Sequence, residues 1–401
     1  MDSSIITYCK KNHIVLLLLF IWLFRLCFLT QGNKGGVAIN KYVVIQIFVI
    51  LLLALKLHAE KVTFWKLLNY NATKHFAFLY IFGMISIIWS IFPMMSFFFS
   101  FENLVCMTAI LYLSLKFSDV YQLEKFFIYT IIFIISMFLV KGAFSFRSFH
   151  SVTYSSISAM LTMYCLVELC SHNRFNHNSK TLKTGLVFGI IILFLTTSGG
   201  AIFSVFLALF AFLLLSQKST WRMLLFLAIG TICILIVLGY QQKILAVLFP
   251  NKSTESILTA HGRTVVWNMI NEKVAIKPLL GWGYATVERI LPIYCIDAHN
   301  SIIGIRGSLG NIGCIYLVFT MLYVLSYFHL QRKNFGFRGI FFAILCAFIN
   351  SNTSKFLASK AGPCTFTFQF LLVLGAAYRI LNQRMIPANG EVTLNNGHEQ
   401  H

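Results

Sequence analysis

The sequence predicts an all-α integral membrane protein of about twelve transmembrane helices, on three observations. The 401 residues are 58% hydrophobic and only 11% charged, where a soluble domain carries about 25% charged residues. Apolar runs of about 18 to 22 residues recur along the chain, long enough to cross a hydrocarbon core of roughly 30 Å as helix. Lys and Arg gather in short turns at alternate ends of these runs, the bias that cytoplasmic turns carry. A transmembrane barrel would instead show shorter segments of alternating polarity. The formal charge of +20 is scattered over many turns, so it reads as a membrane-topology signal and no nucleic-acid partner is expected. The ten cysteines lie mostly within apolar runs, without a Cys-x-x-Cys or any metal-ligand spacing, and read as packing residues.

Lys10 and Lys11 precede the first apolar run, residues 14–30. This start resembles a signal sequence without a small-residue cleavage site, so it is expected to stay as the first span with its N-terminus in the cytoplasm. Further spans are expected at 40–57, 76–92, 95–115, 126–140, 152–170, 184–197, 201–216, 223–240, 300–328, 339–350 and 364–381. The turns assigned to the inside are basic: Lys61, Lys66 and Lys74, then Lys116 and Lys125, then Lys218 and Arg222, then Arg332, Lys333 and Arg338. The membrane domain therefore covers 1–381, including an outer loop at 241–299 between the ninth and tenth spans. Residues 382–401 form a polar tail, expected to be disordered and cytoplasmic. Arg25, within the first span, stands alone in the sequence; Glu102 and Glu168 read as structural.

Most of the groups capable of chemistry fall within 261–313. Val266, Met269, Ile270 and Val274 are spaced for one face of a helix over 262–276, expected to lie in the membrane interface with Trp267 at headgroup depth. Pro278 ends it, and Gly281-Trp282-Gly283-Tyr284 reads as a turn in which backbone approaches something closely. A second helical piece is expected at 285–291, carrying Glu288 and Arg289. On an unbroken helix advancing about 100° per residue, Arg306, Gly310 and Gly313 share a stripe with His299. The two glycines would admit another helix or a lipid tail, and an Arg at that depth calls for an anionic partner. Arg263, Arg289 and Arg306 around one imidazole, without paired carboxylates, suit a phosphate or pyrophosphate held without a metal ion. A neutral imidazole can take the proton of an attacking hydroxyl.

At Gly262-Arg263-Thr264 with Trp267, Lys277 to Tyr284 (Lys-Pro-Leu-Leu-Gly-Trp-Gly-Tyr), His299-Asn300, and Gly310 with Gly313, the chain resembles the bacterial O-antigen ligase and polymerase family, which includes Wzy-type polysaccharide polymerases. The resemblance implies a metal- and cofactor-independent, inverting membrane glycosyltransferase of GT-C-like fold in the bacterial inner membrane, its active site on the periplasmic side and both termini cytoplasmic. It implies an undecaprenyl-pyrophosphate-linked oligosaccharide as donor, with His299 and Arg263 catalytic. Arg289, Arg306, Arg147, Trp282, Tyr284 and Asn300 are the expected contacts to pyrophosphate or glycan. Membrane lipids and a chain-length regulator are the other expected partners. Family members often carry an Arg in the turn between the seventh and eighth spans. Here that turn reads Thr196-Thr197-Ser198-Gly199-Gly200, with Arg306 or Arg147 as candidate substitutes. The difference favours a polymerase over a ligase acting on lipid A core; a flippase for the same lipid is the non-enzymatic alternative.

Overall fold

The computed structural model describes residues 8, 12–25, 41–145, 152–171, 178–196, 198–215, 263–291, 298–334 and 336–385. Among them every regular element is helical. In chain order these are α1 (His13–Phe24), α2 (Lys41–Ala59), α3 (Lys74–Ile85), α4 (Pro93–Leu115), α5 (Val120–Ser145), α6 (Val152–Leu169), α7 (Ser179–Leu195), α8 (Gly199–Leu214), α9 (Arg263–Ile276), α10 (Ser301–Gln331), α11 (Phe337–Asn350) and α12 (Pro363–Met385). Short 3-10 turns lie at Phe64–Asn69, Ser86–Ile88 and Val287–Arg289. By length and composition five are able to cross a membrane: α4, α5 over Val120–Met137, α6, α10, and α12 over Pro363–Gln383. Shorter apolar helices stand between them. The expected ninth span, Arg147 and the first part of the outer loop lie outside the described residues. α12 runs to Met385, and the rest of the expected polar tail lies outside the described residues.

Apolar character all round a helix marks one buried on every side, and α4, α6 and α12 are of this kind. From Glu102 to Ser114 α4 has no exposed residue. It packs against α2, α3 and α12, while α6 packs against α7, α8 and α11. The outer helices instead keep large apolar side chains exposed, among them Phe48, Leu55, Val187, Phe194 and Ile315, the surface that hydrocarbon would cover. Small residues let α6 and α7 approach closely: a Cβ on Gly185 would lie 2.8 Å from Cys165 Sγ, and one on Gly189 2.6 Å from Thr162 Oγ1.

The three buried carboxylates of this core each accept hydrogen bonds, as a medium without water favours, while the hydroxyls of Ser114, Ser158 and Thr162 are buried without one. Glu102 accepts from Trp22 Nε1 at 2.7 Å and from Gln46 Nε2, tying α1 and α2 to α4. Arg25, alone in the sequence, lies within electrostatic reach of Glu102. Glu124 accepts from Tyr164 Oη (2.7 Å) and Asn178 Nδ2 (2.8 Å). Glu168 takes the backbone N–H of Gly339 at 2.7 Å, so it is structural, as expected.

The unbroken stripe expected along α10 does not exist. Gly310 has φ 66° and ψ −166°, which splits α10 into two helical pieces. The break removes helical partners from the carbonyls of Gly307 and Ser308 and from the N–H groups of Asn311 and Ile312. The turn after Pro278 replaces all four. Trp282 N donates to Gly307 O (3.2 Å) and Gly283 N to Ser308 O (2.8 Å), while Asn311 N donates to Pro278 O (2.8 Å) and Ile312 N to Leu279 O (3.3 Å). Each such group left buried and unpaired would cost about 1–3 kcal/mol. The close approach expected of the glycines is thus to α10 itself. A Cβ on Gly281 would lie 2.5 Å from Gly310 N, and one on Gly310 would overlap the Leu279 carbonyl. At Gly313 the missing Cβ leaves room for the side chain of Leu309.

Tyr284 carries the same turn into the core. Its ring fills the space left by Gly83 on α3, its N–H meets Ser86 Oγ at 3.0 Å, and its hydroxyl donates to Ser359 O at 2.8 Å. Trp89 Nε1 reaches Leu280 O at 2.8 Å. Residues 277–284 are therefore a splice joining α3, α4 and α10.

Candidate functional site

The splice holds α9 along the first piece of α10, and three pairings give their relative direction. Trp267 Nε1 donates to Ala298 O at 2.8 Å, Arg306 Nη1 to Asn271 Oδ1 at 3.2 Å, and Asn311 N to Pro278 O. Both sequences ascend together, so the helices run parallel and their N-termini lie side by side. One N-terminus opens on Arg263 and the other follows His299. Arg263 sits one helical turn from Trp267, about 6 Å along the axis, while His299 is the next residue after the carbonyl that Trp267 binds. Two positive helix ends, the mouth of the candidate site, thus lie side by side, a field that favours an anion.

The apolar face of α9 is covered by protein rather than lying in the interface. Ile270 and Val274 are buried against Val287, Leu291 and Ala298, with Val266 and Met269 packed alongside. Gly307 makes this possible, since a Cβ there would lie 2.5 Å from Val287 Cγ2 and 3.0 Å from Ile270 Cγ2. The helix expected at 285–291 reduces to the 3-10 turn Val287–Arg289, and Arg289 is exposed on it.

Several expected ligand contacts turn out to be fastenings. Asn300 caps α10: its Oδ1 accepts from the N–H groups of Ile302 (2.9 Å) and Ile303 (3.1 Å), and its Nδ2 donates to Asn352 O (3.2 Å). Tyr284 is fully buried and faces the core. Trp282 is half-buried, donates Nε1 to Lys273 O at 2.9 Å and carries the Lys277 ammonium 4.5 Å over its ring, so it holds the C-terminal end of α9. Arg306 also donates Nε to Asn311 Oδ1 at 3.0 Å. Its partner Asn271 is eight residues along α9 from Arg263, about 12 Å, so Arg306 clips α9 to α10 below the mouth. The Trp267 bond sets the first turn of α9, which opens on Arg263, near the residue that precedes His299, while Arg306 meets α9 further along at Asn271.

His299 has φ 47°, outside the helix and in a region that few non-glycine residues adopt. It is fixed from both sides, through Ala298 to Trp267 and through Asn300 to Asn352. The second anchor belongs to the loop between α11 and α12, which sequence spacing had left out of the site. Ser301 stitches that loop to α10: its N–H donates to Ser351 O (2.8 Å), its hydroxyl to Ser354 O (3.2 Å), and it accepts from Phe356 N (3.2 Å) and Leu357 N (3.1 Å). Within the loop, Lys355 lays its stem across Gly304, where a Cβ would be 2.7 Å from Cε. Thr353 packs on Gly200, bringing the turn between α7 and α8 to the same place. Over fifty residues separate Lys355 from His299, and one half-exposed lysine in a short loop gave no signal beyond its charge.

Among the described residues the chain is all-helical, with helices long and apolar enough to cross a membrane. Residues 184–318 match the family model described as O-antigen ligase. The match covers about a third of the chain, from α7 to beyond the break in α10, and contains Arg263, His299 and the whole splice. Over these residues the chain is similar to the O-antigen ligase and polymerase family that the sequence motifs resemble, a family of membrane glycosyltransferase-like enzymes. No curated protein matches the chain.

Proposed function

We propose that the protein is a polysaccharide polymerase that transfers a growing glycan from undecaprenyl pyrophosphate onto a lipid-linked repeat unit, at the periplasmic face of the inner membrane. The observation that carries this reading is the bond from Trp267 Nε1 to Ala298 O, which sets the Arg263 turn beside His299. In this reading the acceptor hydroxyl loses its proton to the His299 imidazole as its oxygen bonds to the anomeric carbon. The bond from that carbon to the pyrophosphate oxygen breaks on the opposite face, and the leaving pyrophosphate takes the electron pair. Attack opposite the leaving group inverts the anomeric centre. Arg263 meets the growing negative charge with a guanidinium fork suited to phosphate, the stabilisation a metal ion provides elsewhere.

The description of the matched family favours a second reading, in which the same donor is passed to lipid A core. Lipids from a deletion strain separate the two. A polymerase leaves single lipid-linked repeat units; a ligase leaves long lipid-linked polymer with none on lipid A core. Under the polymerase reading, Arg263→Ala reproduces the deletion pattern, with chelator added to the purified enzyme changing nothing. Wild-type polymer in that variant removes Arg263 from the reaction.

A further inference from the structure

We propose that Lys355 is a third phosphate-binding group of this mouth, acting with Arg263 and His299 on the pyrophosphate of a lipid-linked glycan. The inference rests on the reading above for the identity of the ligand, and on geometry for the residue. The loop that holds Lys355 is not loosely apposed to the site. Four hydrogen bonds converge on Ser301, and a fifth joins Asn300 to Asn352. These are the two residues that follow His299, so any shift of the loop shifts the imidazole.

Gly304 then decides where the lysine goes. A side chain at this position would occupy the volume that the Lys355 stem fills, with Cδ at 2.9 Å, Cε at 2.7 Å and Nζ at 3.3 Å from its Cβ. The stem and ammonium thereby lie against the first turns of α10 at Gly304. Lys355 is only half-exposed, and burying its stem on the glycine face while the charge stays at the rim is the ordinary behaviour of a snorkelling lysine. The backbone N–H groups at the start of α10 are committed: Ser301 to Ser351, Ile302 and Ile303 to Asn300 Oδ1, and Gly304 to Asn300 O. An anion entering here must find its donors on side chains. Arg263 opens α9, which is fastened to Ala298, the residue before His299, and Lys355 belongs to the loop fastened to Asn300 and Ser301, the two residues after it. A pyrophosphate has two phosphoryl groups to be met, and two separated cations suit it better than one.

The test uses full-length protein purified in detergent and inorganic pyrophosphate as the probe, followed by calorimetry. Lys355→Met keeps the apolar stem on Gly304 and removes only the charge; Lys355→Arg keeps a charge and lengthens the reach. Wild type is expected to bind pyrophosphate, Lys355→Met about tenfold or more weakly, as loss of one charge-assisted contact implies, and Lys355→Arg close to wild type. Equal binding by wild type and Lys355→Met, or no binding by wild type, overturns the inference. So does equal weakening in Met and Arg variants, which would mark the lysine as a mere prop. Turnover of a lipid-linked repeat unit by wild type is measured separately. Its absence would reject the proposed reaction while leaving the pyrophosphate result to decide the role of Lys355.

Discussion

At the scale of single residues, the site depends on a histidine held in a conformation it would not choose. A positive φ at a residue other than glycine costs on the order of 1 kcal/mol or more and persists only where neighbours over-determine it. Here Trp267 fixes the preceding carbonyl and Asn300 caps the helix that follows. This suggests a substitution that isolates chemistry from shape. Asparagine tolerates the left-handed region but has no basic nitrogen, so His299→Asn should fold as wild type and lose activity by about 10²-fold or more, the usual worth of a general base. Equal thermal midpoints with turnover reduced to background would bear this out; near-normal turnover would mean that the imidazole moves no proton. Residue type drew attention to Arg263 and His299 in the sequence, but it did not announce that Arg306 clips α10 to Asn271 of α9. Nor was the role legible for Asn300 and Tyr284, whose polar atoms look equally able to meet a sugar until burial shows which partners they have.

At the scale of elements, apolar length located most helices to within a few residues, because a span has to satisfy its own backbone across the hydrocarbon. The break in α10 escaped that reasoning. Counting 100° per residue assumes an intact ladder, and nothing within 301–331 other than Gly310 itself announces that the ladder is interrupted. The information lay some thirty residues upstream, in the glycines of the 277–284 turn that replace the lost partners. The break should therefore fail when either half of the splice fails. In Gly310→Ala the new Cβ meets backbone at Leu279 and Leu280 and the φ of 66° is strained. A destabilisation of about 2–4 kcal/mol follows, from strain together with disrupted backbone pairing. Gly281→Ala should cost a similar amount, and the double variant less than the sum, since both substitutions break one contact. Denaturation of the three variants in detergent measures this; strict additivity would mean that the two glycines do not act as one joint.

At the scale of the molecule, the mouth is assembled from segments far apart in sequence: the first turn of α9, the start of α10, the α11–α12 loop and the α7–α8 turn. Only the first two fall close together along the chain, which is why the charge pattern pointed to them and not to Lys355. Their meeting has a consequence for orientation. Arg263, His299 and Lys355 must all face one compartment, and the basic turn Arg332-Lys333 at the far end of α10 must face the other. The charge bias assigns that basic turn to the cytoplasm, so the mouth is expected outside. With native cysteines replaced, Lys355→Cys and Arg263→Cys in intact cells should react with a membrane-impermeant maleimide, while Lys333→Cys should react only after permeabilisation. Two consequences can be read separately. Labelling of 263 and 355 from opposite sides would dismantle the mouth itself. Labelling of both only after permeabilisation would leave the mouth intact but place it in the cytoplasm, where a donor presented on the periplasmic leaflet could not reach it, and the proposed reaction would have to be given up.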